Sequence, residues 1–363
     1  MFERTDINGM VLSNRFVRSA TWEGMAANDG AVTPKLITTM EALARGGVGL
    51  IVSSHSYVRP EGQAGPGQLG IYKDELIPGL REMTAAVHDC GGKMVMQLAH
   101  AGKFAPELLT GQAPLVVSDY EEGEAPRREI TDQDIQELVT SFADAARRAK
   151  IAGFDGVQIH SAHGYLLSQF LSPAFNRRQD KYGGDINNRS RIHMEVYRAI
   201  REAVGQDYPV LIKLNCRDFA ENGLSLEDSL QVGRMLADAG LDAIELSGGL
   251  LTGGKLSPSR PGIKSEEEEA YFREEARYFK NAIGIPLILV GGMRSFQVAQ
   301  RLVDDGVADY ISMSRPFIRE PALINRWKSG DHCRAECKSD NRCFRTGMSG
   351  NGIYCDMKNR EDK

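Results

Sequence analysis

Basic stripes, and basic patches interleaved with aromatic residues, are missing from this chain, and a formal net charge of -5 offers no field to draw in a polyanion. Nucleic acid is excluded as an expected partner, which leaves small molecules. No apolar run approaches membrane-spanning length. The opening residues, Met1-Phe2-Glu3-Arg4-Thr5-Asp6, lack the charged region, apolar core and small-residue cleavage site of a secretory leader. These absences point to a cytoplasmic protein with no membrane segment. A Gly-x-Gly-x-x-Gly fingerprint is also absent from the first strand-to-helix turn, which reads Thr21-Trp22-Glu23-Gly24-Met25, and this argues against a doubly wound dinucleotide fold. No repeat, low-complexity linker or composition shift marks a second domain before residue 330.

What the chain does contain is patterned. Hydrophobic residues make up 42% and charged residues 26%, which is enough apolar material for a sizeable core. Asn8-Gly9 predicts a hairpin turn between Asp6-Ile7 and Met10-Val11-Leu12, of the kind that plugs the bottom of a barrel. Apolar strand candidates then alternate with helical patterns. The strands are Arg15 to Ala20, Gly49 to Ser53, Lys93 to Leu98, Gly156 to Ile159, Val210 to Asn215, Ala243 to Ser247, Pro286 to Val290 and Tyr310 to Ser314. Helices are expected near Pro34 to Arg45, Pro78 to Asp89, Thr131 to Ala152, Asn188 to Val204, Leu226 to Ala239, Glu267 to Ala282, Ser295 to Asp304 and Ala322 to Trp327. Near-continuous apolar strands between helices mean a parallel sheet covered on both faces. The expectation is an α/β protein, a single (β/α)8 TIM barrel over residues 1–330 followed by a cysteine-containing tail over 331–363. Glu266 to Glu269 read as first-turn carboxylates favoured by a helix dipole. The long segments after the third strand, and from Leu171 to Asn187, read as loops covering a ligand.

Chemistry belongs at the strand ends. Gly291-Gly292 and Ser314-Arg315, at the ends of strands seven and eight, with Ser247-Gly248-Gly249 at strand six, outline a phosphate cradle. The phosphate could belong to a sugar substrate or to a flavin. Gln97 offers a donor and an acceptor suited to a flavin pyrimidine edge, and Lys213 places a positive charge beside it. Strand four opens into His160-Ser161-Ala162-His163-Gly164-Tyr165, read as two hydrogen-bond donors and a proton carrier. The bland alternatives are satisfied loop histidines, a packed tyrosine, or a metal site, for which no carboxylate ligand stands nearby.

The strings Gln97-Leu98-Ala99-His100-Ala101-Gly102-Lys103, Ile159-His160-Ser161-Ala162-His163-Gly164-Tyr165-Leu166, Phe170-Leu171-Ser172-Pro173, Asp180-Lys181-Tyr182-Gly183-Gly184 and Asn188-Arg189 resemble the old yellow enzyme family of FMN-dependent ene-reductases, from about residue 2 to 330. The resemblance implies a barrel holding FMN, with Ser19, Ala20, Thr21, Ser54, Gln97 and Lys213 around the ring and Ser247, Gly291, Gly292, Ser314 and Arg315 toward the phosphate. It implies His160 and His163 as the pair binding a substrate carbonyl, Tyr165 as proton donor, and NADH or NADPH as electron source. The implied substrate is an α,β-unsaturated carbonyl compound, and further copies of the chain are an expected partner. Trp22, implied as a substrate-binding residue, departs from the pattern, standing where a small threonine or cysteine that touches the flavin is common, so that its bulk would narrow the pocket or change the flavin potential; Lys213 stands where arginine is frequent and lacks its bidentate fork. The competing readings are a lyase or isomerase of a phosphorylated sugar with Lys213 as Schiff base, a flavin module without turnover, and a dienoyl-thioester reductase or amine demethylase.

Of the six cysteines, Cys90 and Cys216 stand alone, while Cys333, Cys337, Cys343 and Cys355 crowd the tail. The tail resembles the four-cysteine iron-sulfur segment of larger relatives, with Asp340 at one cysteine position. Carboxylate binds iron less tightly than thiolate, and Cys333 is a substitute ligand. The readings are an altered iron-sulfur cluster, a zinc site or a metal-free remnant, with a remnant or another metal expected over a complete cluster.

Overall fold

A computed structural model describes residues 1–119 and 126–361. Parallel strands close into a barrel in sequence order: β1 (Phe16–Arg18), β2 (Leu50–Tyr57), β3 (Met94–Ala99), β4 (Gly156–Ser161), β5 (Val210–Asn215), β6 (Ala243–Ser247), β7 (Leu287–Val290) and β8 (Tyr310–Met313). Closure joins β8 to β1 with Ile311 opposite Phe16 and Met313 opposite Arg18. The outer helices are α1 (Pro34–Arg45), α2 (Ile77–Asp89), α3 (Asp132–Ile151), α4 (Arg191–Val204), α5 (Leu226–Asp238), α6 (Arg273–Ala282), α7 (Phe296–Asp304) and α8 (Leu323–Lys328). The expected (β/α)8 TIM barrel is the fold observed.

Local chemistry explains the boundaries. Every residue of β3, β4, β5 and β6 is buried, as a sheet covered on both faces requires. At the start of α1 the Thr33 hydroxyl accepts from the Leu36 N–H, and Pro34 has the φ a first turn needs. Thr131 and Asp134 form a reciprocal capping box on α3. The hairpin Thr5–Ile7 with Met10–Leu12 turns through Asn8 and Gly9 at φ 48 and 80. Its buried side chains Ile7, Met10 and Leu12 meet Val17, Val52, Val95, Leu211 and Ile288, plugging the end of the barrel opposite the strand C-termini. Each contributes about 1.5–3 kcal/mol on leaving water.

The structure departs from the sequence expectations at particular places. β1 ends at Arg18, so Ser19, Ala20 and Thr21 lie in the loop beyond it. Buried Arg18 donates to the Val52 carbonyl at 2.8 Å and pairs with Glu23, which fixes that loop. The helix expected from Glu267 begins at Arg273, so Glu266 to Glu269 are not its first turn. Glu269 is instead fully buried, accepting from the Arg294 and Ser295 backbone N–H groups at 2.7 and 2.9 Å and from the Ser295 hydroxyl at 2.8 Å. A buried carboxylate that meets several donors outweighs a solvated one near a dipole. The helix expected from Asn188 is split into Ile186–Arg189 and Arg191–Val204.

The tail lies on the barrel at the strand C-termini. The Ile353 N–H donates to the Glu23 carbonyl at 2.7 Å, Gly262 N–H to Ser339 at 2.8 Å, and Arg315 Nη1 to Asn341 Oδ1 at 2.6 Å. A Cβ on Gly347 would meet the Trp22 ring at 3.0 Å, so glycine there permits the indole and the tail backbone to touch. Among the described residues no helix is long and apolar enough to cross a membrane.

Candidate active site

A cavity of about 440 Å3 opens at the C-terminal ends of the strands. Its floor is polar. Ser19, Ala20 and Thr21 after β1, Gln97 on β3, His160 on β4, Lys213 on β5 and Ser247 on β6 line it, with Gly292 after β7 and Ser314 and Arg315 after β8. Its upper wall is largely apolar: Trp22, Ala64, Pro66, Pro106, Phe344, Met348 and Ile353. Of the long segments expected to cover a ligand, the one after β3 contributes Pro106 to this lining, and Leu171 to Asn187 contributes nothing. The latter is tied to its neighbours, with Arg178 Nη1 donating to the Ile130 carbonyl at 2.7 Å and Asn176 Nδ2 to Phe170 and Tyr182 at 2.7 and 2.8 Å. The tail takes its place.

Beneath the floor lies Glu245, a fully buried carboxylate in the middle of β6. Oε1 accepts from the hydroxyls of Ser19 and Ser312 at 2.7 and 2.8 Å and stands 3.0 Å from Lys213 Nζ; Oε2 accepts from Gln158 Nε2 at 2.9 Å. Lys213 also donates to Ser19 Oγ at 2.7 Å. Burial pushes the Glu245 carboxyl upward, but the Lys213 charge and the hydrogen bonds from Ser19, Lys213 and Gln158 outweigh it and hold the group below its ordinary value. The carboxylate also sets the direction of two amides. Because Gln158 gives its N–H to Glu245, its Oε1 accepts from Gln97 Nε2 at 2.7 Å, which turns the Gln97 oxygen to other partners. Sequence reading missed Glu245, although a single charge inside the apolar strand Ala243-Ile244-Glu245-Leu246 was a visible signal.

Aromatic rings form a second group. His160 and His163 stand with centroids 5.3 Å apart, and His160 and Tyr165 4.8 Å apart, both pairs edge to face. His163 sits at φ 66, a left-handed conformation costly for a side chain, followed by Gly164 at φ 87. Its N–H donates to Asn215 Oδ1 at 3.1 Å and its Nε2 lies 2.8 Å from Ser247 Oγ. Ser247, expected in the phosphate cradle, is therefore engaged with the histidine. Burial foremost, then neighbouring groups including Lys213, holds both imidazoles well below their ordinary pKa, so they are neutral at pH 7. Burial holds the Tyr165 phenol protonated, above its usual range. His160 Nδ1 is buried without a hydrogen-bond partner.

Ser54 is not in the cavity lining, whereas its neighbour His55 is. The β2–β3 pairing shifts register between Val52 and His55, and this irregularity moves the histidine into the position expected of the serine. His55 Nε2 lies 3.0 Å from the Tyr165 hydroxyl. Gly291 is likewise outside the lining, and Gly292, at φ 73, is inside it; a Cβ there would meet Tyr271 at 2.8 Å.

The floor is a set of hydroxyl, amide and cationic donors, with its carboxylate sequestered below, and this suits a ligand that combines a polar ring edge with a phosphate. FMN fits that donor set: Ser19, Thr21, Gln97 and Lys213 would hold the ring edge, and Gly292, Ser314 and Arg315 the phosphate. The cysteines do not form an equivalent site. Cys337, Cys343, Cys355 and Asp340 border a second, small cavity, and Cys343 reaches both, while Cys333 is exposed. Among the described residues no three His, Cys, Asp or Glu side chains converge as ligands of a metal ion.

A family model described as the NADH:flavin oxidoreductase / NADH oxidase family matches residues 1–333. An NADH oxidase of Thermoanaerobacter brockii is 37% identical over 91% of the chain, which spans only 51% of that protein. The chain thus spans about half the length of that curated relative. An NADPH dehydrogenase of Geobacillus sp. is 34% identical, over 88% of the chain and 91% of that protein. Among solved structures, an old yellow enzyme homologue from Zymomonas mobilis superposes with a TM-score of 0.77 at 28% identity, covering 91% of this chain and 92% of that one.

Proposed function

The chain belongs to the NADH:flavin oxidoreductase / NADH oxidase family, and from that premise we propose that it uses FMN and NADH or NADPH to reduce the C=C bond of an α,β-unsaturated carbonyl compound. The observation that carries the reading is the grouping of His160, His163 and Tyr165 in one cavity with Gln97 and Lys213. Bound FMN would supply two-electron chemistry, accepting hydride from the nicotinamide and passing it to the substrate β-carbon.

The chain's own residues do the rest. As charge develops on the carbonyl oxygen, neutral imidazoles of His160 and His163 donate hydrogen bonds to it, in a buried site where such bonds are strong. Tyr165 gives its hydroxyl proton to the α-carbon: the O–H bond breaks, the C–H bond forms, and solvent later restores the proton. One hydride and one proton account for the reduced bond. Lys213, held by Glu245, supplies a fixed positive charge under the ring site. Trp22, Pro106, Phe344 and Met348 keep water from the reacting carbons.

The Lys213–Glu245 pair disfavours the Schiff-base reading, because the amine a substrate carbonyl would need is already engaged, 3.0 Å from the Glu245 carboxylate and 2.7 Å from Ser19 Oγ. The test is the visible spectrum of the purified chain after incubation with FMN, then anaerobic stopped-flow with NADH, NADPH and cyclohexenone. A colourless chain that takes up no FMN overturns the reading, as does a reduced flavoprotein whose reoxidation the enone does not accelerate.

A further inference from the structure

We infer that His55 is a positioning residue which, oriented by Gln68, turns the Tyr165 hydroxyl proton away from the protein and toward the bound substrate. This rests on the reductase reading for its purpose, though not for its geometry.

Two backbone groups that have only one role each fix the Gln68 amide. The Ala64 N–H can only donate and lies 2.6 Å from Gln68 Oε1; the His55 carbonyl can only accept and lies 2.8 Å from Gln68 Nε2. The amide cannot be reversed without losing both bonds. Its nitrogen therefore faces His55 Nδ1, at 3.2 Å. An amide nitrogen has no lone pair to offer, so Nδ1 must be the acceptor and the single imidazole proton resides on Nε2. That N–H is directed at the Tyr165 hydroxyl oxygen 3.0 Å away. The phenol oxygen thus accepts from His55, and its own proton is left for another acceptor. His160 and His55 are ring neighbours of the same phenol, at 4.8 and 5.4 Å between centroids.

The arrangement has a second effect at the moment of reaction. When Tyr165 gives up its proton, the resulting phenolate already holds a donor, and that hydrogen bond strengthens as charge appears. Burial holds His55 down to about 4, so at neutral pH it carries the one proton this requires. With the other tautomer the phenol would donate to His55, and the proton needed by the substrate would be committed to the protein.

The experiment uses the full chain loaded with FMN and labelled with 15N-histidine. Two-bond 1H–15N correlations identify the protonated nitrogen of His55, assigned by comparison with His55→Gln. Anaerobic stopped-flow gives flavin reduction by NADPH and reoxidation by cyclohexenone separately. The expected result is Nε2–H in the wild type. His55→Phe should lower the reoxidation rate at least ~10-fold more than the reduction rate, in line with an assisting role in general acid catalysis. His55→Gln, whose amide places an N–H donor toward the phenol, should recover most of the loss. Finding Nδ1–H in the wild type, or equal effects of His55→Phe on both half-reactions, overturns the proposal. Should the wild type reduce no enone, the functional reading fails, and the orienting role is then decided by the tautomer alone. That measurement needs no turnover, only the folded wild type and the His55→Gln variant used for assignment.

Discussion

Lys213 Nζ and Glu245 Oε1 stand 3.0 Å apart with both side chains withdrawn from solvent. Lys213 lines the cavity floor, Glu245 lies beneath it, and Ser19 bonds to both. Glu245→Gln keeps the shape but leaves the ammonium without its counter-charge. The expected loss is about 3–5 kcal/mol of unfolding free energy, the usual cost of breaking a buried pair by removing one partner. Urea denaturation of wild type and variant at one pH measures it; a change below ~1 kcal/mol would show that the pair is not held as described.

Tyr165→Phe removes the proton together with the oxygen that faces His55 Nε2. Reoxidation of the reduced flavoprotein by cyclohexenone should fall by about 10²–10⁴, with reduction by NADPH changed far less. Equal rates in both half-reactions for variant and wild type would remove Tyr165 as the proton donor.

Gly292→Ala tests the ligand cradle. The left-handed φ of 73 and a Cβ 2.8 Å from the Tyr271 ring both oppose the substitution. Strain of about 1–2 kcal/mol and a displaced loop should weaken FMN binding at least ~10-fold on the same scale, where each 1.4 kcal/mol is tenfold. Fluorescence titration of FMN into the stripped chain gives the answer, and unchanged affinity would place the ligand elsewhere.

Acid should destabilise this protein before its carboxylates titrate. Burial depresses His55 to about 4, His100 and His193 to about 3, and His160 and His163 well below the ordinary value. An unfolded chain binds these protons near pH 6.5, so the native state is favoured above that pH and loses stability as the pH falls toward the folded values. The slope approaches about 1.4 kcal/mol per pH unit for each such histidine. Urea midpoints at pH 7, 6 and 5 should fall steadily, and a flat profile would contradict the burial of these rings.

Trp22 is the hinge between wall and tail. Its Nε1 donates to the Pro66 carbonyl at 3.1 Å, and its ring touches the backbone near Gly347. Trp22→Ala should admit bulkier enones, lowering KM for a ring-substituted cyclohexenone relative to cyclohexenone itself. A parallel change in both KM values would mean that the indole does not shape the substrate space.

Much of this was legible in the sequence because the periodicities are strong. β5 and β6 fall at the expected residues, and α1 does so at both ends, since Thr33-Pro34 and Gly46-Gly47 punctuate it chemically. The histidine and tyrosine cluster was legible because polar residues at the end of an apolar strand have few structural uses. The remainder depended on long-range geometry. His55 enters the cavity through a register shift that no local pattern announces. Glu269 looked like a solvated helix start because its partners, Arg294 and Ser295, lie far along the chain. Phe344, Met348 and Ile353 carry no periodic signal at all, and their place on the wall follows from contacts with Trp22 and Glu23.

The floor and the wall of this cavity differ in how freely they can be altered. Side chains from β4, β5 and β8 and from the loop after β1 share the one Glu245 carboxylate of β6, so a change at Ser19, Gln158, Lys213 or Ser312 is felt by the others and their effects will not add. The tail and Trp22 meet the barrel through separate contacts, each replaceable alone. Redesign of what the protein accepts therefore belongs to Trp22, Phe344 and Met348, where single substitutions explore new shapes without disturbing the charge arrangement underneath.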